Sequence, residues 1–600
     1  MRMLKTASGQ TRPAGPGLAA PENDGPAELP GARARLRDAV RHRIIPGLRR
    51  HWLISALLLA GLVLRLLSLI AYRPALLYID TLKYLYNAWP GTDPLGYKGV
   101  LKAILLVGNL ETVAAIQHLV GLAMGVAIYA LLLRRGAARW LAALAAAPVL
   151  LDAYQLQIEQ TIMPDVWFEA LIAAGLVLLL WHARLPAWAI VLAGITLGLS
   201  ATVWQGGEIL VLPAAVYMLI AIGGGWRRAI GGVTLLCAAF ALPILSYMTA
   251  SWALSGHFWL SGSGTSAIYG RVAEAADCAT LKLPADERPL CPTASQKALG
   301  PDGLEHDPSS PVNTYAAPLG ASQSGLVSGF TKAVITQQPW RVLSAYAADV
   351  ARLFAVHRVT SPGDTPISRW QFQTSYPTYE NYVRVDPQNV IIVGLKLQNT
   401  AALNNLTYEP LDPSLGGKAA VIGPLAAFLH SYQLDGGFTP GPLYLAAALL
   451  GLAGTLSLIR RGTLRRAPAE PGDRDLALGC CLFFITAVVI LLASDIPEFS
   501  WRYQLPAIVT LPPAGALGIA VILARVGSRT ARRAAADAPA GLAVTPAAPG
   551  PATLHLADLQ VALDVGQRRD DRRQHRGDHG RLDEPDDHGF LLSAEPTSRS

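Results

Sequence analysis

The sequence has little charge and lacks the motifs of common soluble enzymes. Charged residues make up 15% of its 600 positions, whereas a soluble domain usually has about 25%. It contains no phosphate-binding Walker loop, no glycine-rich dinucleotide fingerprint and no clustered histidines and cysteines with metal-ligand spacing. No intracellular nucleotide site is therefore indicated, and we expect any substrate to arrive from the membrane or from outside.

Cysteine is also scarce, with five residues in the chain. Cys237, Cys480 and Cys481 lie within apolar runs, where a thiol usually packs as a small hydrophobic group. Cys278 and Cys291 lie in a long polar stretch, with twelve residues between them. If that stretch is extracytoplasmic, we expect a disulfide worth about 3 kcal/mol through loop closure. The alternative is two free thiols in a loop.

Long apolar runs are what the sequence does have, and hydrophobic residues make up 52% of it. Runs of about 16–24 residues can span a hydrocarbon core of about 30 Å as helices. The candidate spans are 52–72, 112–133, 140–152, 166–182, 187–203, 208–223, 229–252, 439–459, 476–494 and 503–524. The sequence therefore predicts an α-helical polytopic membrane protein with about ten transmembrane helices. The run 140–152 is short and contains Pro148, so it also fits a re-entrant segment.

Basic and acidic residues alternate between successive connecting loops. Cytoplasmic loops usually carry excess Lys and Arg. With the Arg-rich N-terminal stretch inside, the loops expected inside carry Arg134, Arg135, Arg139, Arg184, Arg227, Arg228, Arg460, Arg461, Arg465, Arg466, Arg525, Arg529, Arg532 and Arg533. The other loops carry Asp80, Asp93, Asp152, Glu159, Asp165, Glu208, Asp495 and Glu498. This alternation predicts a multi-pass plasma-membrane protein with both termini cytoplasmic. No nucleic-acid partner is expected, because the arginines adjoin apolar helices as membrane anchors do.

The predicted spans divide the sequence into five parts. These are a disordered basic cytoplasmic tail (1–50), helices 1–7 (51–252), a large extracytoplasmic region (253–438), helices 8–10 (439–525) and a second disordered cytoplasmic tail (526–600). Within the extracytoplasmic region, apolar residues at helical spacing predict surface-lying helices at 326–357 and 418–433.

The first outer loop contains the most informative residue, Asp80. Lys83 follows three positions later, which is one turn if this stretch is helical. The pair fits an interfacial helix with a solvated ion pair, and it also fits a carboxylate base beside a phosphate-binding cation. A transporter should instead place its polar site near the midplane, where the main polar intrusion is Gln117 and His118.

Glycosyl transfer from a polyprenyl-phosphate sugar is a reaction that such a loop suits. The leaving phosphate has a second pKa near 6, so it departs without a dedicated general acid. One carboxylate then suffices to take the proton from the acceptor hydroxyl. Positive charge must stabilise the departing phosphate, and the outer loops offer Lys83, Lys98 and Arg502.

Three segments of the sequence resemble the GT-C superfamily of polytopic glycosyltransferases that use lipid-phosphate sugars, in its protein-mannosyltransferase-like bacterial branch. They are YIDTLKY at 78–84, LLDAYQLQIEQTIMPDVWFEAL at 150–171 and FSWRYQLPAIVTLP at 499–512. The shared layout covers about 50–525 and is closest in the first 250 residues. The alanine- and arginine-rich composition is also similar to that of high-GC actinobacteria.

The resemblance implies roles for four residues. Asp80 matches the catalytic aspartate of the first loop, and Arg502 matches a cation near the donor phosphate. Glu159 and Asp165 match acidic positions that contact the acceptor or a metal. From the residues alone, Asp165 also fits a helix N-cap, Glu159 a solvated loop residue and Arg502 an interfacial anchor. Many relatives have an acidic pair in the first loop, whereas the next acid here is Asp93. The sequence therefore establishes no cofactor and leaves dependence on a divalent metal open.

The expected function is inverting transfer of a hexose or pentose from a polyprenyl-phosphate donor to an extracytoplasmic acceptor hydroxyl in the cell envelope. The acceptor is a glycan, a lipid or a protein, and membrane lipids surround the enzyme. Two other functions stay open. One is transport of a lipid or polysaccharide, and the other is a non-enzymatic role in envelope assembly.

Overall fold

A computed structural model describes residues 45–78, 80–86, 94–223, 225–262, 264–360, 365–375, 382–385, 391–393, 407–410, 413–417, 419–460, 471–496 and 498–536. The chain divides into two units, residues 1–526 and 527–600. The candidate site lies wholly in the first unit, and the described residues of the second are the end of the last helix. Most of both predicted tails and Asp93 lie outside the described residues.

Helices dominate the structure. The first part contains α1 (Ile45–Arg50), α2 (Trp52–Ala71), α3 (Thr81–Tyr86), α4 (Gly96–Leu105), α5 (Leu110–Arg134), α6 (Arg139–Leu151), α7 (Ala153–Gln160), α8 (Asp165–Trp181), α9 (Ala187–Val203), a 3₁₀ helix (Gln205–Leu210), α10 (Val211–Ala221) and α11 (Trp226–Ser255). The last part contains α19 (Gly441–Arg460), α20 (Pro471–Ser494) and α21 (Pro506–Ala536). Each of the ten predicted runs coincides with helix over most of its length.

Between these parts lie shorter helices and strands. The helices are α12 (Gly264–Ala275), α13 (Ala294–Lys297), α14 (Gly300–His306), α15 (Pro311–Thr314), α16 (Gln323–Gln337), α17 (Pro339–Arg352) and α18 (Gly423–Leu434), with 3₁₀ helices at Arg288–Leu290, Ile367–Trp370 and Pro413–Leu415. The strands are β1 (Tyr72–Arg73), β2 (Tyr382–Val385), β3 (Ile391–Val393), β4 (Thr407–Pro410) and β5 (Ala420–Val421). The strands β3-β2-β4 form an antiparallel sheet, and β1 pairs with β5.

Within the described residues, six helices are long and apolar enough to cross a membrane. They are α2, α5, α11 and the segments Gly441–Leu458, Arg474–Ser494 and Pro506–Gly527 of α19, α20 and α21. The helices α6 and α7 meet the same criterion only as a pair bent by 47°, as in a broken span or a re-entrant loop. The protein is therefore helical and polytopic, as predicted.

The bend between α6 and α7 lies at Asp152. Its backbone is extended (φ −61°, ψ 123°), and its Oδ1 accepts a hydrogen bond from the amide of Tyr154 at 2.9 Å. This is an N-cap, which satisfies an amide that the first turn of α7 would otherwise leave unpaired. The carboxylate thus starts a new helix where the apolar run ends.

Small residues allow α9 and α11 to pack closely. A Cβ added at Gly194 would lie 2.7 Å from the carbonyl oxygen of Leu236, and one at Gly198 would collide with the carbonyl of Phe240. Such close backbone approach is typical of membrane helices, whose association depends on van der Waals packing. A larger residue at either glycine would push the two helices apart.

We call the residues between α11 and α19 the outer region, after the location that the sequence predicts for them. This region has a hydrophobic core of its own, which includes Tyr269, Leu304 and Phe330. A disulfide joins Cys278 to Cys291 beside this core. The single helix predicted at 326–357 is wrong, because α16 ends at Gln337 and α17 begins at Pro339. Proline lacks the amide hydrogen and disfavours helical geometry in the preceding residue. The helix predicted at 418–433 corresponds to α18.

The strand pair β1–β5 brings the chain back to the end of α2, where the loop that contains Asp80 begins. Tyr72 lies opposite Val421, and Arg73 lies opposite Ala420. The ring of Tyr72 stacks on that of Phe372 with centroids 5.4 Å apart. Residues that precede β2 in the sequence and residues that follow β4 are thereby both held against the start of the loop that contains Asp80.

Candidate functional site

The segment before α3 is hydrogen-bonded to the segment that connects α7 to α8, although the two are far apart in sequence. The amide of Leu76 donates to Gln160 at 2.9 Å, and the amide of Ile162 donates back to Leu76 at 3.0 Å. The hydroxyl of Thr81 also donates to the carbonyl of Ile162 at 3.0 Å. These bonds bring the start of α3 next to the start of α8, and so bring Asp80 towards Asp165.

Arg502 joins these two carboxylates. Its Nε and Nη2 lie 2.7 and 3.0 Å from the two carboxylate oxygens of Asp165, and its Nη1 lies 3.2 Å from Oδ2 of Asp80. Lys83 Nζ lies 3.1 Å from the other oxygen of Asp80. We call Asp80, Lys83, Asp165 and Arg502 the ion cluster. It contains four of the six residues that the sequence marked as candidates for catalysis or substrate binding, and leaves out Lys98 and Glu159.

Exposure differs among the members of the ion cluster. The side chain of Arg502 is 6% exposed and that of Asp165 is 13% exposed, whereas that of Asp80 is 25% exposed. Burial raises the pKa of the Asp80 carboxyl, but the positive charges of Lys83 and Arg502 outweigh burial and bring the pKa below its usual value. Asp80 is therefore an ionised carboxylate that remains partly open to a solute.

A tight turn and aromatic rings position Arg502. The amide of Tyr503 donates to Ser500 at 3.0 Å, and α21 begins at Pro506. The guanidinium lies 5.4 Å from the ring centre of Trp370 and 5.6 Å from that of Tyr503. Stacking of this kind restricts a long side chain and favours its charged form.

Glu159 lies outside the ion cluster, in a separate buried network within the helices. Its side chain is fully buried, with Oε1 2.7 Å from Nη2 of Arg65 and Oε2 2.8 Å from Nδ1 of His118. His118 Nε2 also lies 2.8 Å from Oε1 of Gln160. Glu159 is therefore neither a solvated loop residue nor placed to contact a substrate at the ion cluster. The signal in the sequence was the presence of Arg65 and His118 within apolar runs, because such groups need a buried partner.

The sequence reasoning missed a second aromatic and cationic group beside the site. Arg369 Nη1 donates to the hydroxyl of Tyr78 at 3.2 Å. The ring of Tyr78 lies 4.7 Å from that of Trp370. Arg369 and Trp370 belong to the 3₁₀ helix Ile367–Trp370. The sequence signal for this group was an Arg-Trp pair at 369–370 that has the same composition as the Trp-Arg pair at 501–502.

The ion cluster as arranged does not fit a divalent metal. Among the described residues, no group of three or more His, Cys, Asp or Glu side chains is placed to hold one. Arg502 engages both Asp80 and Asp165, so a guanidinium lies where a shared metal would need their oxygens. Asp165, the proposed ligand, is thus occupied by an ion pair. Lys98 lies in α4 and is not a member of the ion cluster.

No protein-family model and no curated protein matches this chain. Among solved structures, it is similar to the archaeal oligosaccharyltransferase AglB from Archaeoglobus fulgidus in complex with an inhibitory peptide and a dolichol-phosphate, with 13% identity and a TM-score of 0.35 over 86% of this chain and 54% of that one. It is also similar to the S. cerevisiae protein O-mannosyltransferase Pmt1–Pmt2 complex bound to the sugar donor, with 15% identity and a TM-score of 0.30 over 39% of this chain and 37% of that one. The chain thus spans about half the length of the first structure and about a third of the second.

Proposed function

We propose that this protein is a membrane glycosyltransferase that moves a sugar from a polyprenyl-phosphate donor to an extracytoplasmic hydroxyl, with inversion. The observation that carries the proposal is the pairing of Asp80 with Lys83 and Arg502 on loops at the ends of apolar helices. A partly exposed, ionised carboxylate between two cations suits a reaction that removes one proton and releases one phosphate.

Asp80 is the proposed general base. It takes the proton of the acceptor hydroxyl while the hydroxyl oxygen bonds to the anomeric carbon of the sugar. The bond between that carbon and the phosphate oxygen breaks, and its electron pair leaves with the lipid phosphate. Lys83 and Arg502 stabilise the negative charge that develops there. A single displacement of this kind inverts the anomeric centre.

Asp165 is proposed to hold Arg502 in place. A bidentate arginine–carboxylate pair fixes both the position and the plane of the guanidinium. With two of its nitrogens on Asp165, Arg502 directs Nη1 at Asp80. The role of Asp165 is therefore to orient a cation.

An apolar cavity of about 840 Å³ provides space for the lipid of the donor. It lies between α6, α18, α19 and α21, and its lining includes Leu144, Pro148, Leu443 and Leu450. Asp152 and Thr439 also line it, and the guanidinium of Arg358 lies 3.8 Å from the carboxylate of Asp152 and 5.3 Å from the ring centre of Trp501. Trp501 directly precedes Arg502, so these contacts connect the cavity to the turn that contains Arg502.

One observation favours the transporter as a second candidate. Arg65, His118 and Glu159 form a charged network within the helices, and such networks often mark ion pathways. Arg65 also donates to the carbonyls of Leu150 at 2.8 Å and Val149 at 3.0 Å. The network thus joins α2, α5, α6 and α7, which gives it a structural purpose without transport.

The deciding experiment is a transfer assay with Asp80→Asn. Membranes containing the protein receive a labelled polyprenyl-phosphate sugar, and product glycan is counted. We expect a loss of about 10²–10⁴-fold, the usual contribution of a general base. The control is Asp286→Asn, because Asp286 is an exposed acid of the outer region. Transfer by Asp80→Asn at the wild-type rate would refute the proposed base, and flux without glycan product would favour the transporter.

A further inference from the structure

The formal charges of the ion cluster cancel. Lys83 and Arg502 contribute two positive charges, while Asp80 and Asp165 contribute two negative charges. A lipid phosphate carries about −1.5 to −2 at neutral pH once the sugar has left it. The four side chains alone therefore provide no excess positive charge for this leaving group. Further hydrogen-bond donors or cations next to them would strengthen the binding of this phosphate.

Arg369 provides a further guanidinium at this place. It donates to the hydroxyl of Tyr78 at 3.2 Å, and Tyr78 lies two residues before Asp80. The side chain of Arg369 is exposed. A guanidinium is well suited to this task, because its planar fork of N–H groups matches the oxygens of a phosphate.

Trp370 provides a donor that lacks an acceptor. Its side chain is 4% exposed, and its indole Nε1 has no hydrogen-bond partner among the described residues. The ring lies 4.7 Å from that of Tyr78 and 5.4 Å from the guanidinium carbon of Arg502. Leaving a buried N–H without an acceptor is costly, and such a group in a folded protein usually indicates a water or ligand that completes it.

The short helix that contains both residues is held firmly. Gln433 of α18 donates to the carbonyl of Trp370 at 3.0 Å and accepts from the amide of Phe372 at 2.7 Å. Gln433 is itself fully buried. Arg369 and Trp370 are therefore fixed beside the ion cluster before any ligand arrives.

We propose that Arg369 and Trp370, together with the hydroxyl of Tyr78, bind the phosphate of the lipid donor. This inference rests on the proposed function and adds the residues that bind the leaving group. Asp80 removes the proton of the acceptor, while Arg369 and Trp370 receive the leaving group. Arg502 lies between them and contacts both the base and the ring of Trp370.

The test measures binding of polyprenyl phosphate, without a sugar, to the purified full-length protein. Arg369→Gln and Trp370→Phe should each raise the Kd about tenfold, the effect of losing one hydrogen bond to a charged group. Arg369→Lys should recover part of the loss. Polyprenol lacks the phosphate and should bind wild type and variants alike. Melting temperatures are compared first, and Trp370→Phe retains a ring for packing.

Trp340 and Arg341 provide a matched pair of controls. They are neighbours in the outer region, Trp340 is 78% exposed, and Arg341 forms an ion pair with Asp277. Trp340→Phe and Arg341→Gln should leave the Kd for polyprenyl phosphate unchanged. Equal weakening by the control variants would show an unspecific effect of charge or ring loss and would overturn the assignment.

The outcomes separate this inference from the proposed function. If the wild type transfers sugar while Arg369→Gln and Trp370→Phe keep the wild-type Kd for polyprenyl phosphate, the phosphate site is wrong and the transferase stands. If the wild type transfers no sugar and binds polyprenyl phosphate no better than polyprenol, both fail. If it transfers no sugar but binds polyprenyl phosphate through Arg369 and Trp370, the phosphate site stands and the transferase fails.

Discussion

Arg502 and Asp165 are 337 residues apart in sequence and form a bidentate ion pair with distances of 2.7 and 3.0 Å. The pair connects the turn before α21 to the first residue of α8. Because the same guanidinium also reaches Asp80, its orientation decides how the proposed base is charged and placed. Substitutions at this pair should therefore act on catalysis more than on folding.

Arg502→Lys should lower kcat/KM for sugar transfer by at least about tenfold. A lysine ammonium has no planar fork and cannot bind Asp165 in two places while reaching Asp80. The measurement is transfer rate against donor concentration, together with the melting temperature. Arg341→Lys is the matched control, because Arg341 makes an exposed ion pair in the outer region. A kcat/KM within about twofold of wild type would mean that Arg502 acts only as a point charge.

Glu159→Gln should destabilise the protein and leave the KM for the donor unchanged. Glu159 and Arg65 are both buried, and removing one partner of such a pair usually costs about 3–5 kcal/mol. The measurement is unfolding in detergent alongside donor kinetics of the folded fraction. The double variant Arg65→Met with Glu159→Leu should regain stability, because no unpaired charge remains. A raised KM at full stability would instead indicate that Glu159 contacts the substrate.

Stability should fall as the pH rises from about 4 to about 8, because of two buried carboxyls that lie close to Arg502 in sequence. Burial raises the pKa of Glu498 to about 8 and that of Asp495 to about 7. In an unfolded chain both groups would titrate near about 4. The folded state thus holds protons that the unfolded state releases, so this contribution is complete below about pH 4 and lost by about pH 8.

Glu498→Gln tests this pH dependence directly. The amide cannot ionise, so the melting temperature of this variant should change less between pH 6 and 9 than that of the wild type. Asp307→Asn serves as the control, because Asp307 is a partly exposed acid whose pKa is lowered by hydrogen bonds from Ser309. Equal slopes for wild type and Glu498→Gln would contradict the prediction.

Loss of the disulfide should destabilise the outer region without changing the chemistry. The double variant Cys278→Ser, Cys291→Ser should lose about 3 kcal/mol, the usual effect for a loop of this length. The measurement is proteolysis of the outer region together with the transfer rate at low temperature. Cys237→Ser is the control, because Cys237 is exposed and free. An unchanged protease sensitivity would show that the outer core is stable without the bond.

Local patterns predicted much of the fold. Each of the ten apolar runs is helical over most of its length. Within the part of the chain that the structure describes, six helices, or seven with the bent pair α6–α7, are long and apolar enough to cross a membrane. The pairing of Asp80 with Lys83 follows from a spacing of one helical turn, with the two side chains 3.1 Å apart. The break at Pro339 was also visible in the sequence, but the apolar periodicity continued across it and masked the change of helix.

Local sequence patterns do not predict contacts between segments that are far apart in the chain. Asp165 and Arg502 each stood out by resemblance, yet nothing in the sequence paired them with each other. Arg369 lies in a stretch without periodicity, and only folding brings it against Tyr78. The resemblance matched Glu159 to an acidic position that contacts the acceptor or a metal. In the structure Glu159 forms an ion pair with Arg65, because a buried guanidinium in a helix requires a counter-ion.

The pairing of β1 with β5 has a consequence for how the chain is divided. Tyr72, which directly follows α2, contacts both Val421 and Phe372. Residues that precede β2 and residues that follow β4 are therefore both held at the start of the loop that contains Asp80. If the protein were made as two polypeptides divided between residues 394 and 406, one would contain β1 and the other β5, so the two could still pair. Each half would contribute part of the ion cluster, since Asp80 and Asp165 precede the cut and Arg502 follows it.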